Sequence, residues 1–318
     1  MPQRVIHTAQ ALVDVVVEVP GLPRRGGNVM APEAVRYAGG AVTILLAAVR
    51  SGARAVHAGA HGRGPNGDLV RETLATEGVT LSAPVVQDHD TGICIVMVEP
   101  SAERTFVTTQ GAERWITPRS LQTSEPAAGD LVCVSGYSLV GRTRDPLLAW
   151  LESLPEEVVV VLDPGAVFAE LEPSLRARVV ALTHVWTGNA EESRDFSGVK
   201  GMAPAAEAVA ALLGPGAVAV VRDGEHGCAV HAEGATTLVP GFPEKAVDTN
   251  GAGDTHTGVL LAETSKGADW PDACRRANAA GAIKVTRRGP TSAPTGAEID
   301  AYLAVRSETP VAPGTRSG

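Results

Sequence analysis

Asp248-Thr249-Asn250-Gly251-Ala252-Gly253-Asp254-Thr255 leads a glycine-rich turn into an apolar run, residues 257–262, with the character of a buried helix. Gly-Ala-Gly lets a ligand approach the backbone closely, because two of its three residues carry no Cβ. The first N–H groups of a helix lack intrahelical acceptors, so a turn of this kind opening a helix makes an anion site. An aspartate beside that site, here Asp254, is placed to take the proton of a hydroxyl that attacks a phosphate. Read alone, the same residues also describe a tight turn with Asp254 capping the helix.

Upstream of this segment, strand and helix patterns alternate. Short apolar runs at 131–135, 158–163, 184–187 and 217–222 read as strands, and 145–153 and 171–181 read as the helices between them. That spacing predicts a mostly parallel sheet with helices on both faces. The N-terminal third breaks the alternation. Residues 12–19 read as the first strand, 29–37 as a second extended piece, and 93–98 with 105–109 as a hairpin. These pieces predict a small β-element mounted on the α/β core. Residues 41–51 are apolar at almost every position and predict a buried helix, and 69–77 predict another, closed by Gly78. No internal repeat is present.

The chain has 318 residues, 44% of them hydrophobic, enough for two domains of about 150 residues or one large α/β unit. Lys+Arg number 27 against 36 Asp+Glu, a net charge of −9. Contact with polyanions is unfavourable at that balance, so neither nucleic acid nor an anionic membrane is expected as partner. Aromatics at 3% leave few stacking platforms for single strands. The four cysteines, Cys94, Cys133, Cys228 and Cys274, form no CxxC pair, which argues against a structural zinc site and a disulfide framework. With no signal-peptide pattern and no long apolar run, a cytoplasmic location is expected.

The motif 248–255 resembles the C-terminal signature of the PfkB/ribokinase family of carbohydrate kinases, DTxGAGD, at every fixed position. The resemblance extends over about residues 5–305. Gly39-Gly40 is similar to the family's N-terminal glycine pair, Asn189-Ala190-Glu191-Glu192 to its NxxE motif, and Asp223-Gly224-Glu225-His226-Gly227 to its GxxG nucleotide loop. The run 279–301 resembles ribokinase itself. The implied fold is a three-layer α/β/α domain with a mostly parallel central sheet plus a small β lid. It would span 1–307, with lid segments about 12–37 and 91–110 inserted and 308–318 as a flexible tail.

The resemblance implies an ATP-dependent kinase of a sugar or sugar-like alcohol, with Mg²⁺ as cofactor. Asp254 would be the general base, and the amides of Gly251, Ala252 and Gly253 the anion hole. A preorganised donor of that kind is typically worth about 3–4 kcal/mol of barrier. Asn189 and Glu192 would organise Mg²⁺ through its waters; by themselves they read as a helix N-cap and its capping-box partner. Gly224 and Gly227 would turn beneath the nucleotide. Arg222 stands where Thr or Ser is common, and either binds a phosphate or ends its strand in solvent. Asn278 either flanks the adenine or is an ordinary polar helix position. Asp248 would bind a monovalent cation, K⁺, with carbonyls of Asn250 and of residues 286–292, or simply caps a turn. Asp14, inside an apolar strand, would bind sugar hydroxyls, with Gly39 and Gly40 letting the sugar approach the backbone; otherwise it is an exposed position of a half-buried strand. Tyr137 either meets the substrate or packs in the core. The lid's free edges imply a homodimer.

The chain departs from the family in places. Ile44 stands where an asparagine ligand to the sugar is expected, which weakens the case for ribose. Arg63 and Gly64 replace an acidic pair, and His256 replaces a common Phe. A nucleoside kinase of the same fold is the nearest alternative. A non-catalytic ligand-binding protein on this fold is a more distant one. A nicotinamide oxidoreductase is disfavoured by the absence of GxGxxG after the first strand.

Overall fold

The computed structural model describes residues 3–101 and 103–307; the tail expected at 308–318 lies outside the described residues. Thirteen strands are present among them: β1 (Arg4–His7), β2 (Ala11–Glu18), β3 (Ala34–Gly40), β4 (Arg54–His57), β5 (Thr80–Leu81), β6 (Ile93–Val98), β7 (Arg104–Thr108), β8 (Leu131–Ser135), β9 (Val159–Asp163), β10 (Val185–Asn189), β11 (Val218–Arg222), β12 (Gly227–Ala232) and β13 (Ala235–Pro240).

Nine strands form one sheet in the order β13-β12-β11-β10-β9-β8-β1-β4-β5. From β5 to β11 every pair is parallel, and the β12–β13 hairpin closes one edge antiparallel. Within β8, Leu131 and Cys133 enter one buried apolar layer while Val132 and Val134 enter the other. That alternation on two covered faces makes a three-layer α/β/α architecture, as expected. The chain runs outward from β1 through β4 to β5, then returns and runs the other way from β8 to β11. The strand order therefore reverses beside β1, the place where open sheets of this kind bind ligands at their carboxyl ends.

The helix Ala41–Arg50 is buried over its first eight residues, in keeping with its unbroken apolar sequence. It packs on the helix Ala252–Ser265 so closely that a Cβ at Gly258 would fall on the Ile44 carbonyl and against Ala47. Gly258→Val is therefore expected to destabilise the fold by about 3 kcal/mol, an overpacking cost read from denaturant midpoints.

Several expectations are corrected. Residues 12–19 are not the first strand of the chain, since Arg4–His7 precedes them. They form β2 of a separate four-stranded sheet, β3-β2-β6-β7, and the main sheet starts at β1. Arg4-Val5-Ile6-His7 is too short to display a period. The extended piece at 29–37 is displaced to β3, whose last residues are Gly39 and Gly40 themselves. The hairpin expected at 93–98 and 105–109 is present as β6–β7, and β2 joins it to β3 by pairing antiparallel with β3 and parallel with β6. The helix expected at 69–77 is Pro65–Thr76, with Pro65 in its first turn. The β12–β13 hairpin had no counterpart in the sequence reading.

Candidate active site

The carboxyl ends of the parallel strands bring the site together. Ser135 of β8 lies beside Asp163 of β9, and Asn189 of β10 beside Arg222 of β11. A cavity of about 610 Å³ opens over them, lined among others by Tyr137, Asp163, Asn189, Glu192, Arg222 and Asp254. Gly224, Gly227, Ala252, Gly253, His256 and Asn278 complete the set of predicted residues that the fold gathers there.

Gly251 is the N-cap of the helix Ala252–Ser265 and lies in the left-handed region at φ 77, which favours glycine. It offers no side-chain cap, so the N–H groups of Gly253 and Asp254 in the first turn have no intrahelical acceptor. Of the three amides expected to form the anion hole, that of Ala252 is turned back to the Thr249 carbonyl at 3.2 Å. Asp254 stands in this turn, its carboxyl pushed up to about 6. Burial is the main cause. The charges of Asp14 and Glu192 act in the same direction, while Arg222 and Lys284 oppose it.

Arg222 neither ends its strand in solvent nor projects freely. Its guanidinium donates to the carbonyls of Gly253 at 2.6 Å, Thr187 at 3.1 Å and Gly188 at 3.4 Å. It also lies 4.0 Å from the Asp163 carboxylate. Asp163 was missed by the sequence reading. Its carboxyl is likewise raised to about 6 by burial, with Asp254 adding to the effect and Arg222 countering it. The available signal was an acid closing an apolar strand immediately before Pro164.

Asn189 and Glu192 form the reciprocal capping box that their spacing implied. Asn189 N–H donates to Glu192 Oε2 and Glu192 N–H donates to Asn189 Oδ1, both at 2.8 Å. Burial and the nearby Asp163 raise the Glu192 carboxyl. Among the described residues no group of three or more His, Cys, Asp or Glu is arranged to hold a metal. Mg²⁺ keeps several waters and takes one or two carboxylates beside phosphates, so a lone Glu192 fits it.

Asn278 donates to the carbonyls of Val239 and Pro240 at 3.1 and 3.2 Å and meets His256 Nε2 through its Oδ1 at 3.1 Å. The two residues thus tie the helix Trp270–Val285 and the Ala252–Ser265 helix to the end of β13. Tyr137 is not a core residue: it is 52% exposed, its ring lying over Gly165 at the cavity's rim.

Asp14 is buried in β2, and burial raises its carboxyl to about 6. Gly39 is paired in the adjacent strand, and a Cβ there would fall on the Asp14 carboxylate, so the position admits only glycine while Asp14 keeps this place. Gly40 is the N-cap of the Ala41–Arg50 helix. Ile44, by contrast, is 4% exposed within the apolar core and does not line the cavity. Arg63 is exposed. Asp248 lies behind the turn, its carboxylate accepting from the N–H groups of Asn250 and Gly289, each at 2.8 Å. All four cysteines are buried and free. Among the described residues no helix is long and apolar enough to cross a membrane.

The family model described as pfkB family carbohydrate kinase matches residues 3–296. An uncharacterized sugar kinase, YegV, of Escherichia coli (strain K12) is 31% identical over 304 residues, covering 93% of each chain. A fructokinase double mutant from Vibrio cholerae O395, solved with fructose, ADP and a potassium ion, superposes with TM-score 0.76 at 25% identity, covering 95% of this chain and 98% of that one. A Burkholderia thailandensis nucleoside kinase solved with inosine gives TM-score 0.77 at 22% identity, covering 95% of this chain and 96% of that one, and shares the fold. With its matched span, its sheet order and its Asp248–Thr255 turn in agreement, the chain belongs to the pfkB family of carbohydrate kinases.

Proposed function

We propose that the protein transfers the γ-phosphoryl group of ATP to a hydroxyl of a small sugar-like substrate. One observation carries this reading: Asp254 and the uncapped first turn of its helix open on the same cavity as Asn189, Glu192 and the Gly224–Gly227 loop. A proton acceptor, an anion hole and a nucleotide-sized cleft thereby share one wall.

In this reading the acceptor hydroxyl lies between Asp14 and Asp254. Asp254 takes its proton as the oxygen bonds to phosphorus and the bond to the β-phosphate oxygen breaks, leaving ADP. A base near pH 6 is ionised at neutral pH and still basic enough to help. The first-turn amides, with Gly251 shaping the turn, face the charge that builds on the phosphoryl oxygens. Arg222 holds the Gly253 carbonyl and so keeps that turn in place. Asn189 and Glu192 would hold Mg²⁺ through its waters, and the bound ion would supply charge neutralisation at the phosphates. The β3-β2-β6-β7 sheet would close over the acceptor and exclude water, which competes for the phosphoryl group. Phe106 and Val107 on its outer strand β7 stay half exposed, and a second copy would cover them there.

A nucleoside acceptor is the second reading. The buried Ile44 leaves no side-chain partner for a sugar hydroxyl at that position, and the fold is shared with a nucleoside kinase. A coupled ADP-release assay across pentoses, hexoses, sugar acids, polyols and nucleosides, with Mg²⁺, separates the two. Turnover confined to sugars or polyols is the expected result. Turnover confined to nucleosides would replace the first reading by the second, and absence of ATP binding by thermal shift would overturn both.

A further inference from the structure

Lys284 is completely buried near the end of the Trp270–Val285 helix. Its ammonium donates to two main-chain carbonyls, Asp248 O and Arg287 O, both at 3.2 Å. These oxygens belong to the two segments that shape the anion hole. Residues 247–250 lead into Gly251, and the 286–290 turn packs on it, since a Cβ at Gly251 would stand 3.0 Å from the Pro290 carbonyl. The Val285 carbonyl ties the same segments by accepting from the N–H groups of Val247 at 2.7 Å and Asp248 at 3.1 Å.

Convergent main-chain carbonyls beside a carboxylate are the usual setting for a dehydrated monovalent cation. Here the residues do not fit one. The carbonyls of Asp248 and Arg287 already converge on the Lys284 Nζ, and a second cation beside it would meet the ammonium's like charge, while the Asp248 carboxylate holds the turn by accepting one backbone N–H on each oxygen. An ammonium carries the same single charge as K⁺ and donates along three directions where the ion would accept lone pairs. Burial pushes the Lys284 ammonium's pKa down and Arg104 and Arg287 act with it, while the carboxylates of Asp248 and Asp254 support the charge. The group thus stands between two carbonyls, with the carboxylates of Asp248 and Asp254 favouring its charge and Arg104 and Arg287 opposing it.

We propose that Lys284 is a built-in cation: its ammonium takes the place of a bound monovalent ion between residues 247–250 and 286–290, so that the anion-hole turn is held without K⁺. The placement concerns the fold of this chain; only its consequence for turnover rests on the kinase reading. Lys284 is in this sense a positioning residue, acting through the turn that carries Asp254.

The test compares the wild type with Lys284→Ala and Lys284→Met in KCl and in choline chloride at equal ionic strength, about 100 mM so that general screening is the same in both. Thermal unfolding and ATP-dependent turnover are read in parallel. The wild type is expected to show the same Tm in both salts and turnover equal within about twofold. Lys284→Ala opens the space. It is expected to lose about tenfold or more in turnover in choline, and to regain most of it in KCl with a Tm gain of about 2 °C or more. Lys284→Met fills the space without charge and is expected to gain neither. A K⁺-dependent Tm rise in the wild type would overturn the proposal, and so would a Lys284→Ala protein indifferent to K⁺ in both readouts. If Lys284→Ala folds only in KCl, the rescue is read at folding and supports the proposal. Absence of turnover in every form with the Tm pattern intact would count against the kinase reading and leave the built-in cation standing.

Discussion

Asp254→Asn is expected to lower turnover by at least about 10²-fold while ATP affinity stays within about twofold. The amide is nearly isosteric, keeps the first-turn geometry and removes only the proton acceptor. Removing a repulsive charge near the phosphates leaves no reason for weaker nucleotide binding. The pH dependence gives an independent check. Burial raises the Asp254 carboxyl to about 6, so the reactive carboxylate is present above that pH and is protonated below it. Turnover under kcat/KM conditions is expected to fall about tenfold per unit below pH 6, and the residual activity of Asp254→Asn to lose that limb. Burial raises the Asp163 and Asp14 carboxyls to about 6 as well, so the tenfold-per-unit fall is the part assigned to Asp254, and a shallower limb left in Asp254→Asn would belong to these two acids. Unchanged turnover in Asp254→Asn would remove it as base.

Arg222→Met is expected to lower turnover by about 10²-fold and to move the acid limb to higher pH. The guanidinium spans three carbonyls, of which the Gly253 oxygen belongs to the anion-hole turn, and no other side chain of similar length can hold all three. It also opposes the raised pKa of both Asp254 and Asp163. Loss of that charge is therefore expected to raise both carboxyls further, so that the proposed base is protonated at a pH where the wild type is expected to turn over. Stability is expected to fall by about 1–3 kcal/mol, the cost of leaving buried acceptors without donors. Arg222→Lys restores a charge but not the planar fork, so it should recover part of the limb position and little of the turnover. A pH–rate profile for the three proteins decides the matter: an acid limb that stays in place in Arg222→Met would show that the guanidinium does not set the charge state of the base.

Much of the fold was legible in the chain. The 131–135 run matches β8 residue for residue, and 158–163 and 217–222 miss β9 and β11 by one residue. Parallel strands buried on both faces read as short apolar runs, and the helices between them space those runs. The Asp248–Thr255 turn, the Asn189/Glu192 capping box and the glycine loop after β11 were equally visible, because each is a local device whose chemistry lies within a few residues.

What the chain alone could not decide was how distant pieces share space. Asp14 and Gly39 are separated in sequence, and only strand pairing makes one the reason for the other. Residues 12–19 carry a strand pattern, but pairing with β3 on one side and β6 on the other is a matter of hydrogen-bond partners that the pattern does not encode. Arg222 had two readings until the fold placed the carbonyls of residues 187, 188 and 253 around it. Ile44 reads as a substituted ligand position in the sequence, and the packing of two helices turns it into core. Asp163 and Lys284 carried no motif at all. A single charged residue in an apolar run gains meaning only from what surrounds it, since burial and neighbouring charges, not identity, set its protonation and its partners. Local sequence determined the elements and the turn chemistry; tertiary structure decided which charges face one another, because electrostatic energy depends on distances and burial that no one-dimensional spacing contains.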